Sequence, residues 1–301
     1  MTMLENFRKS GLGHALAAHA VWGSMPLYLL LVHDVPPLEF VAWRILVSVP
    51  LCLALVTLTG GWPELRRVLS NGRAMLVLLV TSAMIAGNWF LYVWAIQTNH
   101  VFAASLGYYI LPLMMMLFGM AFLGERLRPR QWAAVALAGV GVAVLAAGAL
   151  TTLWLSLTMA VSFGVYGLLR KTVAAGPLAG LTVETLLLML PSALVVGWFA
   201  LQPQGTAMGQ NALETGAIIF GGPMTALPLL LFATAVRRMP YTVLGFLQFI
   251  SPTVVFLLGL FVFHEPLRPA QLACFVAIWA AAALFCWDMF ANAREAGKIG
   301  S

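Results

Sequence analysis

Ten apolar stretches, each about 20 residues long, leave this chain little to form except membrane-spanning helices. They are centred near Trp22, Val47, Ile85, Leu113, Gly139, Ala160, Leu190, Leu229, Val255 and Ala280. Only 9% of the residues are charged and 62% are hydrophobic, whereas soluble domains carry about 25% charged residues. The mean hydropathy of +0.95 agrees. Ten spans and their short loops nearly exhaust 301 residues, so no soluble catalytic or nucleic-acid-binding domain fits. The expected fold class is all-α integral membrane, with the lipid bilayer as solvent. The pI of 9.6 then reflects basic cytoplasmic loops rather than a nucleic-acid partner.

The charges test the count of spans. With the N-terminus inside, Arg8, Lys9, Arg66, Arg67, Arg73, Arg126, Arg128, Arg130, Arg170, Lys171, Arg237, Arg238, Arg294 and Lys298 all fall in the cytoplasm, fourteen of the sixteen Lys and Arg. Arg268 is left in an outer loop and Arg44 inside a span. The outer loops near Asp34, His100, Thr151 and Gln204 hold no Lys or Arg. Nine or eleven spans would break the alternation, so both termini are expected inside.

The chain also repeats itself. Pro112, Gly119, Glu125, Leu127, Arg128, Pro129 and Gln131 recur 140 residues later as Pro252, Gly259, Glu265, Leu267, Arg268, Pro269 and Gln271. Trp22-Gly23 matches Phe163-Gly164, and Pro36 and Pro50 match Pro177 and Pro191. Five spans per repeat is an odd number, so the second repeat would enter the membrane upside down, as in many secondary transporters. The motif around Glu265 has Pro266 and Ala270 where the first copy has Arg126 and Arg130, as an outside location requires. The expected organisation is two inverted five-helix repeats, 1–148 and 149–290, and a cytoplasmic tail, 291–301. Register differences imply two extra residues before Pro252. They fit either a bulged or unwound turn in the ninth helix, or a longer loop before it.

Apolar residues 11–13 after Arg8 and Lys9 are too few for a signal peptide, so the first helix is expected to be retained. Cys52, Cys274 and Cys286 lie within spans without metal-ligand spacing, and neither a disulfide framework, a metal nor a cofactor is expected.

Polar side chains at membrane depth face a cavity or another helix. Asn88, beside Trp89, would bind substrate or bond a neighbouring helix. Tyr92, Tyr108, Tyr109 and Tyr166 offer ring faces and hydroxyls to an amphipathic ligand, or pack as core. Gln248, four residues before Pro252, would satisfy freed backbone or reach substrate. His19, near Trp22, would bind substrate, carry a proton or bond a neighbour. Arg44 and Glu184 should not meet: inversion puts Arg44 about 9 Å below the outer surface and Glu184 about 5 Å from the inner one. Arg44 either snorkels outward or contacts an anion. Glu184 either complements a helix N-terminus or serves a cation or proton. Glu125 and Glu265 end their helices beside Arg128 and Arg268 at i, i+3, and are expected to be structural anchors.

Small residues on the fifth helix (Ala134, Ala138, Gly141) and the tenth (Ala273, Ala277, Ala281) suit close helix packing and offer a scaffold or homodimer surface. Gly23 with Pro26, Pro112, Pro223 with Pro228, and Pro252 are placed to let helices bend.

Gly87-Asn-Trp89, Ala104-Ser-Leu-Gly-Tyr-Tyr109, Leu123-Gly-Glu-Arg126, Ser162-Phe163, Tyr166-Gly167, Arg170-Lys171, Glu184-Thr-Leu186 and Leu244-Gly-Phe-Leu-Gln-Phe-Ile-Ser-Pro-Thr253 resemble the RarD-type branch of the EamA group, in the drug/metabolite transporter superfamily. The resemblance spans nearly the whole chain. It implies ten helices around a central cavity in a bacterial inner membrane, moving a small-molecule substrate such as an amino acid or similar metabolite, by export, by exchange or by uptake of an amphipathic drug. Ala103, Leu111 and Met115 depart from it, standing where relatives often carry Glu, Asn and Asn, which points to a more apolar substrate. No cluster of His, Cys, Asp or Glu has the spacing of a membrane-embedded enzyme. No Asp or Glu lies at mid-membrane, which leaves Glu184 and His19 as coupling groups and an uncoupled facilitator as the alternative.

Overall fold

The computed structural model describes residues 11–97, 100–264 and 269–299, and among these all regular structure is helical. Arg8, Lys9, Glu265, Leu267 and Arg268 lie outside the described residues, as do the side chains of Arg294 and Lys298. The spans are α1 (Leu12–Leu29), α2 (Pro37–Leu58), α3 (Gly72–Gln97), α4 (Val101–Leu123), α5 (Pro129–Ala146), α6 (Leu153–Thr172), α7 (Pro177–Ala200), α8 (Ala212–Arg238), α9 in two pieces (Tyr241–Leu247 and Ile250–Phe261) and α10 (Pro269–Ile299). Ten stretches among the described residues are long and apolar enough to cross a membrane. A short helix, Trp62–Leu69, lies between α2 and α3 in a segment the charge count treats as loop.

Helix ends follow backbone chemistry. Pro37, Pro129 and Pro177 stand in the first turns of α2, α5 and α7, where the missing N–H would have no partner within the helix anyway. Gly124 ends α4 in the left-handed region at φ 65°. Asn211 caps α8 by accepting from the Leu213 N–H at 2.9 Å.

The ninth span is broken within itself. Gln248 N–H reaches the carbonyls of Leu244 and Gly245 at 3.1 and 3.2 Å, and Phe249 N–H bonds to Phe246 at 3.3 Å, an i→i+3 contact. Pro252 has no N–H to bond the Gln248 carbonyl, so the helix tightens for one turn and resumes at Ile250. The break thus falls inside the span, and only Met239 and Pro240 link α8 to α9.

Packing brings α5 against α10, α2 against α7, and α4 against α6 and the first piece of α9; α1 packs on the second piece of α9 and on α8, α2 on α8, and α3 on α6 and α7. The small faces of α5 and α10 lie on one another: a Cβ at Gly141 would stand 2.8 Å from Ala277 Cβ and 3.1 Å from the Cys274 carbonyl. Gly23 likewise lets α9 approach α1, since a Cβ there would come 2.7 Å from Val254 Cβ.

The end of the bundle where α2 leads towards α3 is laced by long-range hydrogen bonds. Lys171 Nζ donates to the carbonyls of Val236 and Met239 at 2.8 and 2.7 Å, and Arg237 Nη1 to those of Val173 and Ala175 at 2.9 and 3.0 Å. Cations thus satisfy carbonyls left open at helix C-termini. Glu125 finds its partners across the fold rather than beside it, and one expectation, for Arg170, is corrected. Glu125 accepts from the N–H groups of Tyr241 and Thr242 at 2.6 and 2.7 Å, capping the start of α9, while Arg128 lies 3.7 Å from Asp288. The positive end of a helix with open N–H groups attracts the carboxylate more strongly than an exposed neighbour does. Arg170 is not a loop cation but a residue of α6 that is 1% exposed.

Candidate site: a central cavity between two charged clusters

At mid-depth α2, α3, α6, α7 and α8 surround a small cavity whose lining includes Ser48, Trp89, Tyr166, Glu184, Thr185 and Thr225. It offers about 10 Å³ to the centre of a water-sized sphere, room for about one water. Polar contacts cluster on either side of it.

Towards the α2–α3 end lies Glu184, seven residues into α7 and about 10 Å along it at 1.5 Å per residue. Its Oε1 accepts from Thr81 Oγ1 at 2.6 Å and stands 3.7 Å from Arg170 Nε, while Oε2 lies 3.5 Å from Tyr166 Oη. Arg170 Nη2 donates to the Pro177 carbonyl at 2.9 Å. Its guanidinium occupies the space a Cβ at Gly180 would take, so glycine is needed where α6 crosses α7. Glu184 and Arg170 are both buried, at 2% and 1% exposure, and form an ion pair inside the protein. Tyr166 continues into an aromatic cluster: its ring centroid is 5.5 Å from Phe163, and Trp22 lies 5.8 Å from Phe163 and 5.6 Å from Phe232.

Towards the α1–α2 end lies Arg44, seven residues into α2. Nε donates to Thr225 Oγ1 at 2.7 Å, and that hydroxyl donates on to the Gly221 carbonyl, also at 2.7 Å. The guanidinium carbon lies 5.4 Å from the ring centroid of Phe40 and 5.6 Å from that of Trp89. Tyr28, Tyr92 and Tyr108 are within its electrostatic reach, and the rings of Tyr92 and Tyr108 meet edge-on at 6.0 Å. Arg44, Trp89, Tyr92 and Tyr108 are each partly exposed, so this side is the more open.

The other sequence candidates are engaged by the fold. Asn88 is buried on α3 and donates to the Met159 carbonyl at 2.8 Å and to Ser162 Oγ at 3.0 Å, both on α6. His19 Nδ1 lies 3.1 Å from Ser251 Oγ, which donates to the His19 carbonyl at 3.2 Å; His19 Nε2 is buried without a hydrogen-bond partner among the described residues. Gln248 Nε2 lies 3.3 Å from Met115 Sδ. Ala103, Leu111 and Met115 are all buried, and Met115 packs at Gly245 of α9. The structure therefore groups Arg44, Trp89, Tyr92 and Tyr108 on one side of the cavity and Tyr166 and Glu184 on the other. Sequence reasoning missed Thr81, Arg170 and Thr225: two are hydroxyls, common in membrane helices, and the third adjoins a basic loop.

Known proteins share this chain along its length. The family model described as "EamA-like transporter family" matches residues 9–147. Protein RarD of Streptomyces exfoliatus is 38% identical over 97% of this chain and 92% of that protein. Protein RarD of Escherichia coli is 36% identical over 96% and 98%. The chain is a RarD-type member of the EamA-like transporter family. An uncharacterized transporter of Pseudomonas aeruginosa is similar to this EamA protein at 41% identity over 95% of this chain and 96% of its own. A solved crystal structure, at 21% identity, superposes with a TM-score of 0.71 over 92% of this chain and 97% of that one, a likeness of fold.

Proposed function

We propose that this chain is a secondary transporter that moves a small organic metabolite across the bacterial inner membrane by alternating access. The observation that carries the reading is the cavity at mid-depth, flanked by Arg44 on one side and by the Glu184–Arg170 pair on the other. Buried charges of this kind are costly in a membrane and mark substrate or ion pathways. The names of the relatives support transport. We further propose two inverted halves, 1–148 and 149–290, with both termini and the tail 291–301 cytoplasmic. Helix pairing supports the two related halves: exchanging α1–α5 with α6–α10 carries α4·α6 onto α9·α1, α3·α6 onto α8·α1, and α3·α7 onto α8·α2. The repeat mates Trp22 and Phe163 also touch. In this orientation the laced end would face the cytoplasm and the Arg44 side would face outward, an arrangement that fits a nearly closed state with inner contacts made.

A facilitator or exchanger remains the second reading, favoured by one observation. The buried carboxylates of Glu39, Glu184 and Asp288 all have protein partners: the first accepts from Thr206 and Ala207, the second adjoins Arg170, and the third adjoins Arg128. None is poised as a free proton carrier. The test is flux into proteoliposomes of labelled amino acids, small metabolites and chloramphenicol, with and without a pH gradient. Saturable flux that follows the gradient supports coupling; saturable flux indifferent to it supports the facilitator. No flux from folded protein would refute the metabolite reading.

A further inference from the structure

A charged arginine within a membrane span needs either a countercharge or a ligand that supplies one. Arg44 has no carboxylate within 4 Å among the described residues, and the groups within its electrostatic reach, Tyr28, Tyr92 and Tyr108, are neutral hydroxyls. Its hydrogen bond to Thr225 uses Nε, so the two Nη groups, the planar fork that matches a carboxylate, are left over. The alternative of snorkelling to lipid does not fit the surroundings. Phe40 from α2, Trp89 from α3 and Thr225 from α8 contact the guanidinium, and Tyr28 from α1, Tyr92 from α3 and Tyr108 from α4 lie within its electrostatic reach, so it is surrounded by residues of the bundle. Glycine at 221 makes room for it: a Cβ there would come 2.8 Å from Arg44 Cγ and 2.9 Å from Tyr28 Oη. Trp89 and Thr225, which touch the arginine, also line the central cavity.

We propose that Arg44 is the carboxylate-binding site of the carrier and that its substrate is an organic monoanion whose apolar body rests on Trp89, Tyr92 and Tyr108. This rests on the transporter reading above and narrows its substrate class. One cation without a second Lys or Arg beside it matches a single negative charge, and the aromatic faces match an apolar body. Carboxylate and lipid phosphate share the chemistry of an oxyanion, so the test separates them.

The experiment uses the full chain in phosphatidylcholine nanodiscs. Binding of 3-phenylpropionate and of its uncharged amide is measured by tryptophan fluorescence and thermal stabilisation. The carboxylate should bind roughly 10- to 100-fold more tightly than the amide, the span expected of hydrogen bonds between charged groups. Arg44→Gln should bring that ratio close to one while leaving amide binding in place. Should Arg44→Gln not fold, Thr225→Val removes only the hydroxyl that holds Nε and should shrink the ratio several-fold in protein that still melts cooperatively, a few degrees lower. Equal binding of acid and amide by the unaltered protein, or an undiminished ratio in the folded variants, would overturn the assignment. So would loss of carboxylate binding when phosphatidylglycerol replaces part of the phosphatidylcholine, because the fork would then belong to a lipid headgroup. Binding needs no turnover: carboxylate selectivity without any flux would sink the transporter reading and keep the site, whereas flux without carboxylate preference would do the reverse.

Discussion

Removing either partner of the Glu184–Arg170 pair should destabilise the protein far more than removing both. At 3.7 Å and an effective dielectric of about 20, the gross attraction is roughly 4–5 kcal/mol. The groups are 2% and 1% exposed, so solvent does little to screen it. Leaving one charge buried and unpaired costs about 3–5 kcal/mol, and in a chain of this size about 2 °C of melting temperature accompanies each kcal/mol. Glu184→Gln and Arg170→Met should each lower the melting temperature by about 6–10 °C. The double variant should fall only a few degrees, since an uncharged buried pair is often as stable as the ions it replaces. Gly180→Ala provides an independent route, because its methyl would occupy the guanidinium's place and should cost nearly as much as Arg170→Met. Thermal unfolding in neutral nanodiscs measures all four variants. Additive losses in the double variant, within about 0.5 kcal/mol, would mean the two charges do not interact and would refute the reasoning.

Two further outcomes follow from the contacts. Glu125→Ala exposes the N–H groups of Tyr241 and Thr242 at the start of α9 and should cost about 1–2 kcal/mol, or about 2–4 °C on the same melt. Asn88→Ala removes two bonds to α6 and should lower stability by about 1–2 kcal/mol while leaving the KM for a transported substrate unchanged; a rise in KM at constant melting temperature would instead place Asn88 on the binding surface.

The ten spans were legible because a bilayer demands a length and a polarity that sequence displays directly. The break in α9 was legible as one of two readings, since an insertion beside Pro252 has few places to go. What escaped was contact at a distance. Arg170 stands next to Lys171, and the pair reads as a loop charge; nothing local says that the first turns inward beneath Gly180 while the second reaches Val236 and Met239. Glu125 has Arg128 three residues away, yet its partners are 116 and 117 residues distant. Local spacing rules rank exposed pairs, and those are worth less than an open helix N-terminus brought alongside by the fold. Arg44 was recognisable as a cation within a span, but apart from Phe40 its aromatic surroundings come from three other helices.

The charges also bear on direction. If the carrier works by letting its two halves exchange conformations, perfect repeats would make the inward and outward states equal in energy. Arg44 breaks that equality. It aligns with Thr185 of the second half, a neutral residue that lines the cavity, while the acid of that half, Glu184, is already matched by Arg170. Exchange of the halves would therefore move an uncompensated cation between two unlike surroundings on one side, with no equal and opposite move on the other. A difference of even about 1.4 kcal/mol between the states shifts their populations tenfold. An anionic substrate bound to Arg44 supplies the missing countercharge, so exchange of the halves no longer moves an uncompensated cation and the bias shrinks. On this reading, the residue that selects the cargo also sets the resting conformation, and the substrate's own charge enables the return.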